Sequence, residues 1–130
     1  MKYMLLIDSN KRDWDEMPTL WSDQDVKVMV EYMHDLNRDL QASGELVEVR
    51  GLTGPANMKT VHADDDGEAI VTDGPFTETK EVLAGYWVID VASEQRAVEI
   101  ALRVSLTPGP GGRPTNQNVE IHPADAEPPA

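Results

Sequence analysis

Apolar and polar positions alternate at two different periods along this chain, and the switches between them mark out its elements. Lys2 to Ile7 is an apolar run short enough for a buried strand. From Asp8 to Leu20, a stretch holding Trp14 and Pro18, no period is sustained, and an irregular connection is expected. A helix then starts at clear signals. Ser22 is the cap, Asp25 completes an imperfect capping box, and Trp21 and Val26 stand where a hydrophobic staple would clasp. Val26, Met29, Val30, Met33, Leu36 and Leu40 follow at helical spacing, so this face is core, and Gly44 is the stop. Leu46 to Leu52 reads as a strand that ends in a turn at Gly54 and Pro55. Met58 to His62 and Ala69 to Thr72 are short strand-like runs around Asp64-Asp65-Asp66-Gly67, which predicts a hairpin. Leu83 to Val91 is the strongest strand, with Leu83, Gly85, Trp87, Ile89 and Val91 on one face and Tyr86 and Val88 on the other. Ser93 caps a second helix from Glu94 to Val104, buried through Ala97, Ile100, Ala101 and Val104. Thr107 to Pro114 is too rich in Pro and Gly for anything but loop, and Val119 to His122 closes the chain as a strand.

Setting the hairpin aside leaves βαββαβ, so the expected fold is α+β, a ferredoxin-like sandwich with an inserted β-hairpin. Two helices cover one face of such a sheet. Trp87 and Tyr86 stand on opposite faces of one strand, so both sheet faces carry large apolar groups, and a homodimer packed through the uncovered face is expected.

Composition narrows the function. The chain has 130 residues, enough for one domain. Its 11 Lys and Arg against 24 Asp and Glu give a net charge of −13, which repels phosphate backbones and anionic lipid. No nucleic-acid or membrane partner is expected; a small molecule or another protein is. No apolar run is long enough for a membrane span, and the start does not read as a signal peptide. The chain has no cysteine, which excludes disulfides, thiolate catalysis and thiol-held metals, and a cytoplasmic address follows as the default expectation. There is no serine elbow, no phosphate loop and no paired-histidine metal motif, so no cofactor and no metal site is expected.

The most distinctive string is Asp73-Gly74-Pro75-Phe76-Thr77-Glu78-Thr79-Lys80-Glu81, followed by Leu83-Ala84-Gly85-Tyr86-Trp87. It resembles the signature of the YciI-related proteins, and in particular their DGPF group. Met1 to Leu6, Ala42-Ser43-Gly44-Glu45-Leu46 and Val119-Glu120-Ile121-His122-Pro123 resemble the same group. The resemblance implies a domain over residues 1–123, with 124–130 left as a flexible tail. It implies a fold of the dimeric α/β-barrel type, with a cleft between sheet and helices or near the dimer seam. In YciI itself a His–Asp pair in the cleft has been proposed as catalytic, and relatives often lie beside sigma-factor genes. Where that group more often carries Arg, this chain has His62 and His122.

These readings define the candidate residues. Asp73 is either a carboxylate at a cleft mouth, acting as general base, or a turn residue bonding its own backbone. His62 and His122 are the proton carriers that would accompany it. Lys80, Glu78 and Glu81 form either a polar ligand site, with Lys80 holding an anion, or an exposed ion-paired turn. Phe76 and Trp87 are the aromatic candidates for ligand contact, with core anchoring as the other reading of Phe76. Two function classes follow: a ligand-binding protein or acid–base enzyme using a cleft near Asp73, or a non-catalytic accessory protein associated with a sigma-factor transcription system.

Overall fold

The computed structural model describes residues 1–75 and 80–124. Along the chain run β1 (Lys2–Ser9), α1 (Lys11–Leu20), α2 (Asp23–Ala42), β2 (Leu46–Gly51), β3 (Lys59–Ala63), β4 (Ala69–Asp73), β5 (Val82–Asp90), α3 (Glu94–Ser105) and β6 (Val119–Pro123). The main sheet has the order β2-β5-β1-β6 with every pairing antiparallel. α2 and α3 pack on one face of it, where Leu36, Leu40, Ala97, Ile100 and Val104 meet Tyr3, Leu5, Trp87 and Ile89 in one core. The fold is α+β, and this order is compatible with a ferredoxin-like sandwich. No helix among the described residues is long and apolar enough to cross a membrane.

Strand register sorts the side chains. Tyr3 pairs with Ile89 and Leu5 with Trp87 on the face under the helices. Met4 pairs with Val88 and Leu6 with Tyr86 on the face that no helix covers. Trp87 is 1% exposed and its indole N–H donates to Asn37 Oδ1 at 2.8 Å, so it ties β5 to α2. A bulge interrupts the pairing: Ile7 pairs with Gly85 but Asp8 with Leu83, leaving Ala84 extra. The expectation that Leu83 shares a face with Gly85 and Trp87 is therefore corrected, because the bulge reverses the alternation between them. Gly85 is required there, since a Cβ would lie 2.9 Å from the Arg50 carbonyl oxygen of β2.

The capping box on α2 forms in both directions, Ser22 Oγ accepting from the Asp25 N–H at 3.0 Å and Asp25 from the Ser22 N–H at 2.9 Å. The stripe behind it is buried only in its second half, at Leu36 and Leu40, while Val30 is exposed. The stretch expected to be irregular is instead the end of β1 and the whole of α1. Asn10 supplies the missing start signal, its side chain accepting from the Asp13 N–H at 2.8 Å. α1 has no fully buried residue, and Pro18 lies inside it. Such a helix shows no full apolar stripe in the sequence.

The Pro/Gly segment is a loop, as expected, but a fixed one. Thr115 N–H donates to the Thr107 carbonyl at 2.9 Å, and Gly111 N–H donates to Asp25 Oδ1 at 3.1 Å, pinning the loop to the start of α2. β3 and β4 form a separate two-stranded arm with every residue exposed.

Candidate functional site

At the end of the sheet where β1 leaves its bulge, α1 and α2 stand over a cavity of about 460 Å³. Its walls are soft and apolar: Trp14 and Met17 from α1, Trp21 from the connection, Met29 and Met33 from α2. Polar groups enter from the strand end through Asp8 and Ser9, and from the pinned loop through Thr107 and Thr115. The mixture of large apolar walls with a few convergent polar groups is that of a ligand pocket. The loop thus borders the cavity as well as connecting α3 to β6.

Trp14 is placed by a backbone feature. Gly54 has φ +96, open to few residues besides glycine, and a Cβ there would lie 3.1 Å from Trp14 Cδ2. The indole therefore rests directly on the Gly54 main chain. Its Nε1 is buried, and among the described residues it has no hydrogen-bond partner. A buried N–H without an acceptor is uncommon enough to require an explanation.

Asp8 stands between this cavity and the open sheet face. Burial pushes its carboxyl above the usual range; Glu120 and Glu81 add to this, and His122 works against it. The carboxylate of Glu120 lies 3.1 Å from His122, Oε2 to Nε2. Register explains the grouping: β6 sets Glu120 opposite Leu6 and His122 opposite Met4, on the same face as Asp8. Asp8 thus borders the cavity, and Glu120 and the exposed His122 stand on its side of the sheet. Among the described residues no group of three or more His, Asp or Glu is placed to hold a metal ion.

The structure distributes the sequence candidates. His122 and Glu81 are brought together around Asp8, a residue the sequence reading left in an unassigned connection. The available signal was the alternation Met4, Leu6, Asp8, which continues β1 beyond its apolar run. Asp73 is 84% exposed in its side chain and paired with Lys59 across the arm. His62 pairs with Ile70 on the opposite face of that arm from Asp73, so within one chain the two share no point of reaction. Lys80 is exposed. Trp87 sits in the core, its N–H satisfied by Asn37. Phe76 and Glu78 lie outside the described residues, as does the tail from 125. The turn of the Asp-Gly-Pro-Phe string is held by the Gly74 N–H donating to the Met58 carbonyl at 2.8 Å. Met58 also lines a second cavity of about 390 Å³, between Gly51–Met58 and Val82–Leu83, which among the described residues no titratable side chain lines.

Two comparisons bear on identity. A family model described as the YCII-related domain matches residues 1–108. An uncharacterised protein of Rhizobium meliloti (strain 1021) is 29% identical over 109 residues, which covers 84% of this chain and 83% of that protein. The match takes in the whole of the cavity except the segment carrying Thr115 and Gln117, together with the Asp8 strand and the arm. The chain belongs to the YCII-related domain family.

Proposed function

We propose that this chain binds a small organic molecule in the cavity beneath α1, and that Asp8 gives or takes a proton there. One observation carries the reading: a cavity walled by Trp14, Trp21, Met17, Met29 and Met33 that is also lined by Asp8, whose carboxyl is raised above the ordinary carboxylate range. A carboxyl raised by burial and by neighbouring acids stands nearer the working range of a general acid than an ordinary aspartate.

We also propose that a second copy of the chain covers the open sheet face. Met4, Leu6, Tyr86 and Val88 form its apolar centre. Each edge carries an acid beside a base, Glu48 with Arg50 on β2 and Glu120 with His122 on β6. An isologous interface can match such edges with opposite charges.

The binding reading is tested by a thermal-shift screen of small fragments against the wild-type chain and against Met17→Trp, which fills the cavity from the half-buried α1. Hits that stabilise the wild type and are lost in the variant are expected. Hits that persist with the cavity filled, or no hits at all, would overturn the reading and leave the accessory-protein class in possession.

A further inference from the structure

The cavity beneath α1 also carries a sign. Resting on the small-molecule reading above, we propose that its ligand is an organic cation, a protonated amine carried on an apolar or aromatic body.

Three features support this class. The first is the wall itself. Trp14, Trp21 and Met17 stand in it, its charged residues are Asp8 and Asp13, and among the described residues no Lys, Arg or His lines it. Indole rings attract ammonium groups through their negative faces, and a thioether packs readily against the body that carries the charge. An anion entering the same space meets two acids and no counter-ion.

The second is the state of the neutral polar groups on the loop side. Thr115 Oγ1 donates to the Ser105 carbonyl at 3.3 Å, and Gln117 Nε2 donates to the Val104 carbonyl at 3.5 Å. The Thr115 proton is thereby spent on the main chain, and each residue keeps a side-chain oxygen that accepts. A protonated amine offers donors alone, which is the complement of such a lining.

The third is the field around the cavity. Behind Asp8, burial, Glu120 and Glu81 hold its carboxyl above the usual range, against His122. At Asp13 the nearest base is Arg12 at 3.9 Å, with both side chains 58% exposed, and so open a pair cancels little of the carboxylate's charge. Lys11 is paired with Asp15. The net charge of −13 draws cations toward the chain as a whole and repels anions. The volume of about 460 Å³ accommodates an aromatic ring with a short amino chain. α1 has no fully buried residue, so its displacement for entry leaves the core intact.

Three probes with one ring and three charges, titrated calorimetrically into the full chain at neutral pH, test the assignment: 2-phenylethylammonium, 2-phenylethanol and 3-phenylpropanoate. The ammonium is expected to bind tightest, with the alcohol weaker by about fivefold to tenfold and the carboxylate weakest. In Met17→Trp, which fills the cavity, the advantage of the ammonium over the alcohol should disappear. In Asp13→Asn, at an exposed position, ammonium binding should weaken by about threefold while the alcohol is unaffected. Binding of the alcohol or the carboxylate as tightly as the ammonium overturns the ligand class and leaves the pocket in place. An ammonium advantage undiminished in both variants puts the cation on the acidic surface outside the cavity, and overturns the assignment. Absence of binding by all three probes overturns it as well, and the fragment screen above then decides separately whether the small-molecule reading stands. Asp13→Asn keeps the test decisive should Met17→Trp fold poorly.

Discussion

A missing side chain at position 54 decides where Trp14 can lie. The indole occupies the space a Cβ would take, and the positive φ of Gly54 sets the main chain beneath the ring. Asp8 is the other residue on which the site depends, and its titration can be followed through stability. Its carboxyl is raised above the ordinary value of 3.8, first by burial and then by Glu120 and Glu81. Below that value the folded and unfolded chains are both protonated, and Asp8 costs nothing. As pH rises, the unfolded chain ionises first, so the folded state loses relative stability until the raised value has been passed. Asp8→Asn is therefore expected to raise Tm at neutral pH, with the gain vanishing in acid below the ordinary carboxylate value. Thermal melts of both proteins across that range check this; a gain that persists in acid would show that the charge of Asp8 is not its source.

At the scale of elements, those whose apolar pattern agrees with their burial were legible in the sequence. α3 is buried at Ala97, Ile100, Ala101 and Val104, the four positions its spacing indicates, and the capping box of α2 forms as written. α1 was not legible, because a helix lying over a cavity buries no complete stripe and its cap is a single Asn10 ahead of an unpatterned run. The same physics hid the site, whose walls come from that helix. The bulge at Ala84 was hidden too, since it depends on pairing between β1 and β5 that neither strand carries alone. Asn10→Ala should cost α1 about 1 kcal/mol. Amide exchange across residues 11–20 should accelerate while α2 stays protected, and binding of the cavity-dependent fragments should weaken. Faster exchange in α1 with unchanged binding would mean that α1 is not part of the pocket.

At the scale of the whole molecule, the helix-covered face of the sheet is complete and the other is not. The central strands present Met4, Leu6, Tyr86 and Val88 to the uncovered side, and the arm adds exposed Val61 and Val71. A two-stranded ribbon is only marginally stable alone in water, so burial against a second copy would suit both surfaces. Light scattering on the eluting protein should return twice the chain mass of 14.4 kDa, and Leu6→Glu should shift it toward the monomer. A monomeric wild type would remove the dimer from the account. Glu120 and His122 lie on that same face, so a dimer would bring them close to its seam. The family signature was plain in the sequence, yet the residues it made conspicuous, Asp73 and His62, stand on the arm, while the cavity is built from residues without any motif.

The three tryptophans supply the most direct test of the central claim, that the functional site is the cavity beneath α1. Their indole N–H groups give separate signals in a ¹⁵N-labelled chain, assignable from single Trp→Phe variants. Trp14 and Trp21 line the cavity, whereas Trp87 is buried in the core with its N–H held by Asn37. Titration with a fragment whose thermal shift is lost in Met17→Trp should shift the Trp14 and Trp21 signals to saturation and leave Trp87 unmoved. A Trp14 signal that stays in place while the probe binds would put the site elsewhere in the molecule and contradict the account.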